Sequence, residues 1–483
     1  MSHNIEKLIC NHKKLPLNHV LLICNNKAFT CHDILNLTSK YTQLFIDQGI
    51  GRNHFVIVMV KDPVDYICIF LALQRVRAAL VSANPDSTAS EINRMVSDVS
   101  AGFIITGKDK IDVIKQADHD ASIKIISCER VEQRSSCNSP DKAEYHINPD
   151  DRSLILMTSG STGKSKYVIH SQTGVLKSAE MSSNAYGLNE TKKVFVAAPI
   201  FHSAGIIPVL SAVNAGATCI IMPKFLPKTF VKIITRYQPD IVKAPAFIYR
   251  IIAKMPLSED VVIHKGCQWY SGSSILSLDE KKKISDKFGV KIREMYATSE
   301  TSLIAVENDD DTFVDKRVGK VLKDIHVLIS DNKITVKTPS MAAGYIESGN
   351  EKIHDFDAYF FTGDLGEITK DNTLFVNGRE SNRINVAGKK VSSQEVNTIL
   401  QSHPGIQDSE VIGVTDKVAG EVPAAIVVMK EKVPIDELKE FCSRLLSSYK
   451  IPKYFYFVQE IEKNALQKAS RHKLEQLIMN KRG

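Results

Sequence analysis

Leu154-Ile155-Leu156-Met157-Thr158-Ser159-Gly160-Ser161-Thr162-Gly163-Lys164-Ser165-Lys166 runs from an apolar stretch into small hydroxyl residues, glycines and lysines. Such a run reads as a buried strand, Ser153–Met157, opening into a loop suited to an anion. Glycines let backbone N–H groups approach a phosphate closely, hydroxyls add donors, and a lysine supplies a point charge. Gly163-Lys164-Ser165 invites comparison with a Walker A loop, but that pattern needs glycine at position 158, where this chain has Thr158. By itself the segment fits either a phosphate cradle or a serine-rich polar turn.

Outward from this loop, short apolar runs alternate with longer amphipathic ones, the pattern of a sheet covered by helices on both faces. Phe55–Val60, Phe103–Thr106, Ile123–Ser127, Val194–Ala198, Thr218–Met222 and Lys265–Ser271 read as strands. Val64–Arg77, Lys228–Tyr237 and Leu278–Phe288 have helical periodicity. Beyond Lys320 the runs shorten and alternate in His326–Ser330, Lys333–Lys337 and Thr373–Val376, which predicts a small antiparallel β subdomain. After Gly378-Arg379, helices at Ser393–Gln401 and Ile435–Ser447 and strands at Ser409–Val414, Ala424–Met429 and Tyr454–Val458 predict a small α+β domain. The expected fold is α/β: a large domain over residues 1–378 and a smaller one over 379–483.

Composition narrows the class of protein. At 483 residues the chain has room for more than one core. Apolar residues at 43% and charged residues at 24% are ordinary globular usage. A net charge of +7, from 62 basic and 55 acidic residues, is too diffuse for a nucleic-acid footprint. The nine cysteines are odd in number and never spaced C-x-x-C, which suits reduced thiols and a cytoplasmic location. The amino terminus has no signal-peptide pattern, and no run reaches the ~18 apolar residues of a membrane span.

Five further segments carry chemistry. Tyr270-Ser271-Gly272-Ser273-Ser274 is a small-residue turn, and Ala198-Pro199-Ile200-Phe201-His202-Ser203-Ala204-Gly205 places a histidine in an apolar loop. In Glu294-Met295-Tyr296-Ala297-Thr298-Ser299-Glu300-Thr301, which follows an apparent strand at Val290–Ile292, an aromatic ring, a hydroxyl and a carboxylate stand close together. Phe360-Phe361-Thr362-Gly363-Asp364-Leu365-Gly366 is followed by Gly378-Arg379, and Asn464-Ala465-Leu466-Gln467-Lys468-Ala469-Ser470-Arg471 offers a lysine near the carboxyl end. Each alone has a plain reading: a surface acid, a hairpin turn, a solvated basic face.

Together with the loop, these segments resemble the adenylate-forming superfamily of acyl-CoA synthetases, firefly luciferase and peptide-synthetase adenylation domains. The resemblance spans nearly the whole chain. It implies that Thr158, Ser159, Gly160, Ser161, Thr162, Gly163 and Lys166 hold the ATP phosphates, although Ser165 and Tyr167 replace the family's proline and glycine. It also implies that Ser271, Gly272 and Ser273 line the nucleotide site, that Tyr296 stacks on adenine, and that Ser299 reaches the α-phosphate. Glu300, with Thr162, would hold Mg²⁺; Asp364 and Arg379 would take the ribose; and Lys468 would be the catalytic lysine of a rotating lid. His202 and Gly205 would lie against the acyl group, and Gly388 near the thiol channel. Ser381, Asn385 and Gln467 depart from the family's hinge and lysine motifs.

The implied activity is ATP-dependent formation of an acyl-AMP and transfer of its acyl group to coenzyme A. Amino-acid-activating relatives carry an aspartate where His202 falls, so the resemblance favours a fatty or other non-amino carboxylic acid. Three alternatives share these residues: a ligase that loads an acyl carrier protein, a luciferase-like oxygenase, and a binding protein without turnover.

Overall fold

The computed structural model describes residues 15–115, 123–131, 148–159, 165–256, 261–308, 312–347, 350–354, 359–386, 389–416, 420–446, 448–464 and 468–482. Their strands form three sheets. In the first, of eight strands, Lys124–Ser127, Phe103–Thr106, Phe55–Met59, Ala79–Ser82 and Arg152–Ser159 run parallel. Val56, Ile57, Val58 and Met59 are all buried, because helices cover both faces of a parallel sheet. The helix after Phe55–Met59, Pro63–Arg75, is likewise buried nearly all round and apolar to match. Asp62 caps it by accepting from the Val64 and Asp65 amides, and Pro63 occupies the first turn, where its missing N–H costs nothing. It ends two residues before the expected Arg77, which adopts a φ of 63°.

Arg152–Ser159 then pairs antiparallel with Ser165–Ser171, so that Thr158 faces Lys166 in the ladder. The second strand of this hairpin is absent from the sequence reading, which carried the loop through it. Gly160, Ser161, Thr162, Gly163 and Lys164 lie outside the described residues.

The second sheet has thirteen strands. Val20–Cys24, Thr218–Ile221, Lys193–Val196, Ile241–Pro245, Gln268–Gly272 and Ile292–Thr298 are its parallel half. The strand expected at Lys265 begins only at Gln268, because Gly266 turns the chain at a φ of 88°. The helix Leu278–Phe288 has the expected bounds: Ser277 and Glu280 form a capping box, and Gly289 closes it in the left-handed conformation.

The short strands expected beyond Lys320 are present and have their own core, including Ile304, Val318, Ile334, Val336 and Leu374. They do not stand apart, because Ser302–Val306 bonds to Ile292–Thr298 on one side and to Arg317–Val321 on the other, extending the large sheet. From Arg383 onward the chain builds a third sheet of five strands with a separate core that includes Val391, Leu400, Ile426 and Leu438. The helix expected over Ile435–Ser447 ends at Ser443. No helix among the described residues is long and apolar enough to cross a membrane.

Candidate active site

Parallel strands in register end at a common edge, and the segments that follow them define a crevice there. Lys193–Val196 leads to His202, Gln268–Gly272 to Ser273, and Ile292–Thr298 to Ser299 and Glu300. Glu294 to Thr298 therefore lie within the strand rather than after it, and the strand carries Tyr296 to the crevice.

Asp364 organises one side. It is 5% exposed and sits opposite Arg379 in the antiparallel pair of Phe360–Ile368 with Thr373–Arg379. The Tyr296 hydroxyl donates to Asp364 Oδ2 at 2.6 Å, and Arg379 Nε donates to Oδ1 at 2.8 Å. The Asp364 amide donates to Thr362 Oγ1, whose own hydroxyl donates to the Ile334 carbonyl. A carboxylate has about four acceptor positions, so Asp364 keeps capacity for further hydroxyl donors. Burial, with the Asp364 charge adding to it, raises the Tyr296 phenol well above its ordinary value, so it remains a donor. Burial works against the Arg379 charge, but Asp364 more than offsets this and Glu300 adds to it, holding the guanidinium above its usual value.

Glu300 lies half-buried on the other side. Its Oε1 accepts from the Tyr345 hydroxyl at 2.9 Å, and Lys166 Nζ stands 5.3 Å from the centre of the Tyr345 ring. Lys166, on the strand after the serine- and glycine-rich loop, and Glu300 are thus brought together through Tyr345. Sequence reasoning missed this residue, since nothing in Ala343-Gly344-Tyr345 marks its partner. It also missed His170, whose Nε2 lies 2.7 Å from the Ser299 carbonyl. That oxygen only accepts, so Nε2 carries the proton; burial pushes the ring down to about 4 and keeps it neutral.

The carboxy-terminal lysine reaches the same place. Lys463 pairs with Asp408 and Lys473 with Glu462, whereas the Lys468 ammonium interacts electrostatically with Arg379, Asp364 and His202. Lys468 keeps an exposed surface, yet the surrounding protein and then Arg379 lower its amine to about 8, with Asp364 opposing. Its loop is closed by bonds in both directions, the Lys468 amide to Asn464 Oδ1 and the Asn464 amide to the Lys468 carbonyl. His202 caps the helix Ser203–Ala215 without a side-chain bond, its Nε2 is buried and unpartnered, and burial with the Lys468 charge pushes the ring down to about 4.

Other expected positions fall as follows. Ser273 is exposed at a φ of 67°, while Ser271 is fully buried and faces inward. A side chain on Gly205 would meet the Pro199 carbonyl oxygen at 2.1 Å, so close backbone packing accounts for that glycine, whereas one on Gly272 would meet the movable end of Met295 at 2.5 Å. The Thr158 hydroxyl donates to the Lys166 carbonyl at 3.4 Å, and Ser159 ends its strand. Gly388 and Gln467 lie outside the described residues. Two surface clefts, of ≈ 560 Å³ beside Val386 and Tyr449 and ≈ 770 Å³ beside Lys265 and Arg293, contain none of the expected site residues.

The donor set fits Mg²⁺ in one particular way. Among the described residues no three His, Cys, Asp or Glu side chains converge into a cage. Mg²⁺ on a nucleotide is held by one or two carboxylates together with phosphate oxygens and water, and Glu300 near Lys166 provides such a carboxylate.

The AMP-binding enzyme model matches residues 11–346, and the AMP-binding enzyme C-terminal domain model matches residues 395–468. A 2-succinylbenzoate--CoA ligase of a Geobacillus species is 28% identical over 457 residues, covering 91% of each chain. An oxalate--CoA ligase of Arabidopsis thaliana is 25% identical over 502 residues, covering 97% of each. The crystal structure of ATP-bound MatB from Rhodopseudomonas palustris shares the fold at a TM-score of 0.86, with 21% identity over 99% of both chains. The chain belongs to the AMP-binding enzyme family. Within that family it is an acid–thiol ligase, of the kind that joins a carboxylic acid to coenzyme A through an acyl adenylate.

Proposed function

We propose that the crevice between the large sheet and the five-stranded lobe activates a non-amino carboxylic acid with ATP and Mg²⁺, then passes the acyl group to coenzyme A. The observation that carries this reading is the electrostatic coupling of Lys468, near the carboxyl end, to Asp364, Arg379 and His202. In the first half-reaction a carboxylate oxygen bonds to the α-phosphorus of ATP, the bond to the β-phosphate oxygen breaks, and pyrophosphate leaves. Lys468 supplies positive charge where negative charge develops on the phosphoryl oxygens. Lys166, with Thr158, Ser159, Gly160, Ser161, Thr162 and Gly163, holds the leaving phosphates, and Glu300 with Thr162 would hold Mg²⁺, which would supply positive charge against them. Asp364 accepts from the ribose hydroxyls beside Arg379, Ser299 reaches the α-phosphate, and Tyr296 stacks on adenine above Ser271, Gly272 and Ser273.

In the second half-reaction the thiolate of coenzyme A bonds to the acyl carbon and AMP leaves. We place the domain boundary at 378/379, so that the lobe over 379–483 turns as a lid between the steps. Gly388 then approaches the thiol, and His202 and Gly205 border the acyl group. A neutral His202 offers no counter-charge for an α-ammonium, which favours an acid without one. The relatives' names, for oxalate and 2-succinylbenzoate, do not point to a long-chain fatty acid in particular. Cytoplasmic placement fits a ligase of soluble acids.

Pyrophosphate release from ATP–Mg²⁺ over aliphatic, aromatic and amino acids, with and without coenzyme A, tests the reading. Release that depends on a non-amino acid and increases with coenzyme A is expected. Release increased only by an acyl carrier protein would reassign the acceptor, and oxygen consumption with a supplied acyl-AMP would reveal the oxygenase chemistry. No release with any acid would leave a binding protein.

A further inference from the structure

Ile241–Pro245 carries a lysine in the middle of the parallel strands. Lys243 is 5% exposed and lies in register with Val196 on one side and Tyr270 on the other. Among the described residues its ammonium forms no ion pair or hydrogen bond; it lies over the Tyr186 ring, 3.7 Å from the centroid, with Cys219 its one titratable neighbour of consequence. Another buried lysine, on the helix Leu278–Phe288, is unlike it. Lys281, fully buried, has Glu294 at 3.4 Å and Glu307 at 3.8 Å. A buried ammonium without a counter-charge is costly, and burial brings Lys243 down to about 7.

Its position connects this lysine to the crevice. Val196 is followed by the segment that bears His202, and the Ala197 amide donates to the Lys243 carbonyl at 3.0 Å. Tyr270 is followed by the turn that bears Ser273. The Tyr186 ring meets the Tyr270 ring edge-on at 4.7 Å, and its hydroxyl lies 3.1 Å from Sδ of Met295, the neighbour of Tyr296. Lys243 therefore lies between the two strands whose following segments bear His202 and Ser273, with the Tyr186 ring against its ammonium.

We infer that Lys243 binds a second carboxylate of the acid substrate, so that the site selects dicarboxylic acids over apolar acids of the same size. The inference rests on the ligase reading and refines it. A cation–π contact holds the lysine while the site is empty, and the incoming carboxylate supplies the counter-charge that the protein withholds. A site built to pair a polar group discriminates strongly against the analogue that lacks it.

The test is acid-dependent ATP–pyrophosphate exchange on matched pairs, succinate with butyrate, glutarate with pentanoate and phthalate with 2-methylbenzoate. Wild type is compared with Lys243→Met, Lys243→Gln and Lys243→Arg. Wild type should favour the dicarboxylate of at least one pair by about 100-fold in kcat/KM. That ratio should fall to about one in Lys243→Met and Lys243→Gln, and Lys243→Arg should restore part of it. Exchange with monocarboxylates alone, or a ratio that Lys243→Met leaves intact, would overturn the assignment and leave the ligase standing. A variant that loses thermal stability while keeping the ratio would mark a structural lysine and overturn it too. No exchange with any acid would remove the ligase reading and this inference together.

Discussion

Two charge clusters hang from the strand Ile292–Thr298, two residues apart, and they are built oppositely. At Glu294 the cluster is sealed. Lys281, Glu294, Glu307 and Arg317 are all at most 9% exposed, and Arg317 Nε donates to Glu307 at 2.9 Å while Lys281 lies between the two carboxylates. The Glu294 amide donates to Glu307 as well, and the Leu276 amide donates to Glu294. Two cations answer two anions, and the backbone is tied in. Burial, with Glu307 adding to it, raises Glu294 to about 7 against the pull of Lys281.

At Tyr296 the cluster is open. Asp364 and Arg379 come from a hairpin, Glu300 from the end of the strand, and Lys468 from the five-stranded lobe, and the last keeps an exposed surface. The first cluster pairs its charges with one another, Lys281 through ion pairs without a hydrogen bond, and fixes the strand; the second gathers cations and carboxylates from separate parts of the chain. A charged group within a fold is thus read by its partners: self-complete clusters hold structure, and incomplete ones await a ligand.

Breaking the sealed cluster should have the largest effect. Glu307→Ala removes the Arg317 carboxylate and one of the two beside Lys281, and should cost about 3–5 kcal/mol in denaturant unfolding. Adenylation per folded molecule should be preserved; a change under about 1 kcal/mol would mean the cluster is not what fixes the strand. In the open cluster, Asp364→Ala should lower kcat/KM for ATP by about 100-fold, through the lost acceptor and the freed Arg379 and Tyr296. Unchanged ATP dependence would take Asp364 out of the nucleotide site.

Titration sharpens the contrast. Lys468 is charged below its lowered value of about 8 and neutral above it. The kcat/KM of adenylation, which reports the free enzyme, should therefore fall about tenfold per pH unit above that point. Lys468→Arg should move this fall to higher pH, and an unmoved fall would assign it to another group. The smallest effect is expected at Tyr345→Phe, which removes one hydrogen bond to Glu300. It should raise the Mg²⁺ concentration needed for half-maximal rate by about fivefold, and no shift would separate Tyr345 from the metal carboxylate.

What could be read from the sequence follows the same division between local and distant. The helix Leu278–Phe288 was legible because its cap, periodicity and terminal glycine are all local, and Phe103–Thr106 because Phe103, Ile104 and Ile105 make the apolar run expected of a doubly covered strand. Ile241–Pro245 was not legible as a strand: Lys243 and Pro245 interrupt the apolar run, and the reason for the lysine lies in a ring 57 positions earlier. Ser165–Ser171 was hidden by Lys166 and by its hairpin with the loop. Asp364, Arg379, Glu300 and Lys468 stand out as candidates through motifs, whereas Tyr345 and His170 bond to residues more than forty positions away, which no local pattern records. For the same reason the joining of the antiparallel strands to the large sheet emerged only from the three-dimensional pairing.

The central claim is that one crevice serves two half-reactions, with Lys468 belonging to the first. It is tested most directly by measuring both halves on Lys468→Ala: acid-dependent acyl-AMP formation from ATP, and thioester formation from supplied acyl-AMP and coenzyme A. The account predicts a variant severely impaired in making the adenylate and close to wild type in consuming it. Equal loss in both halves, or undiminished adenylate formation, would contradict it.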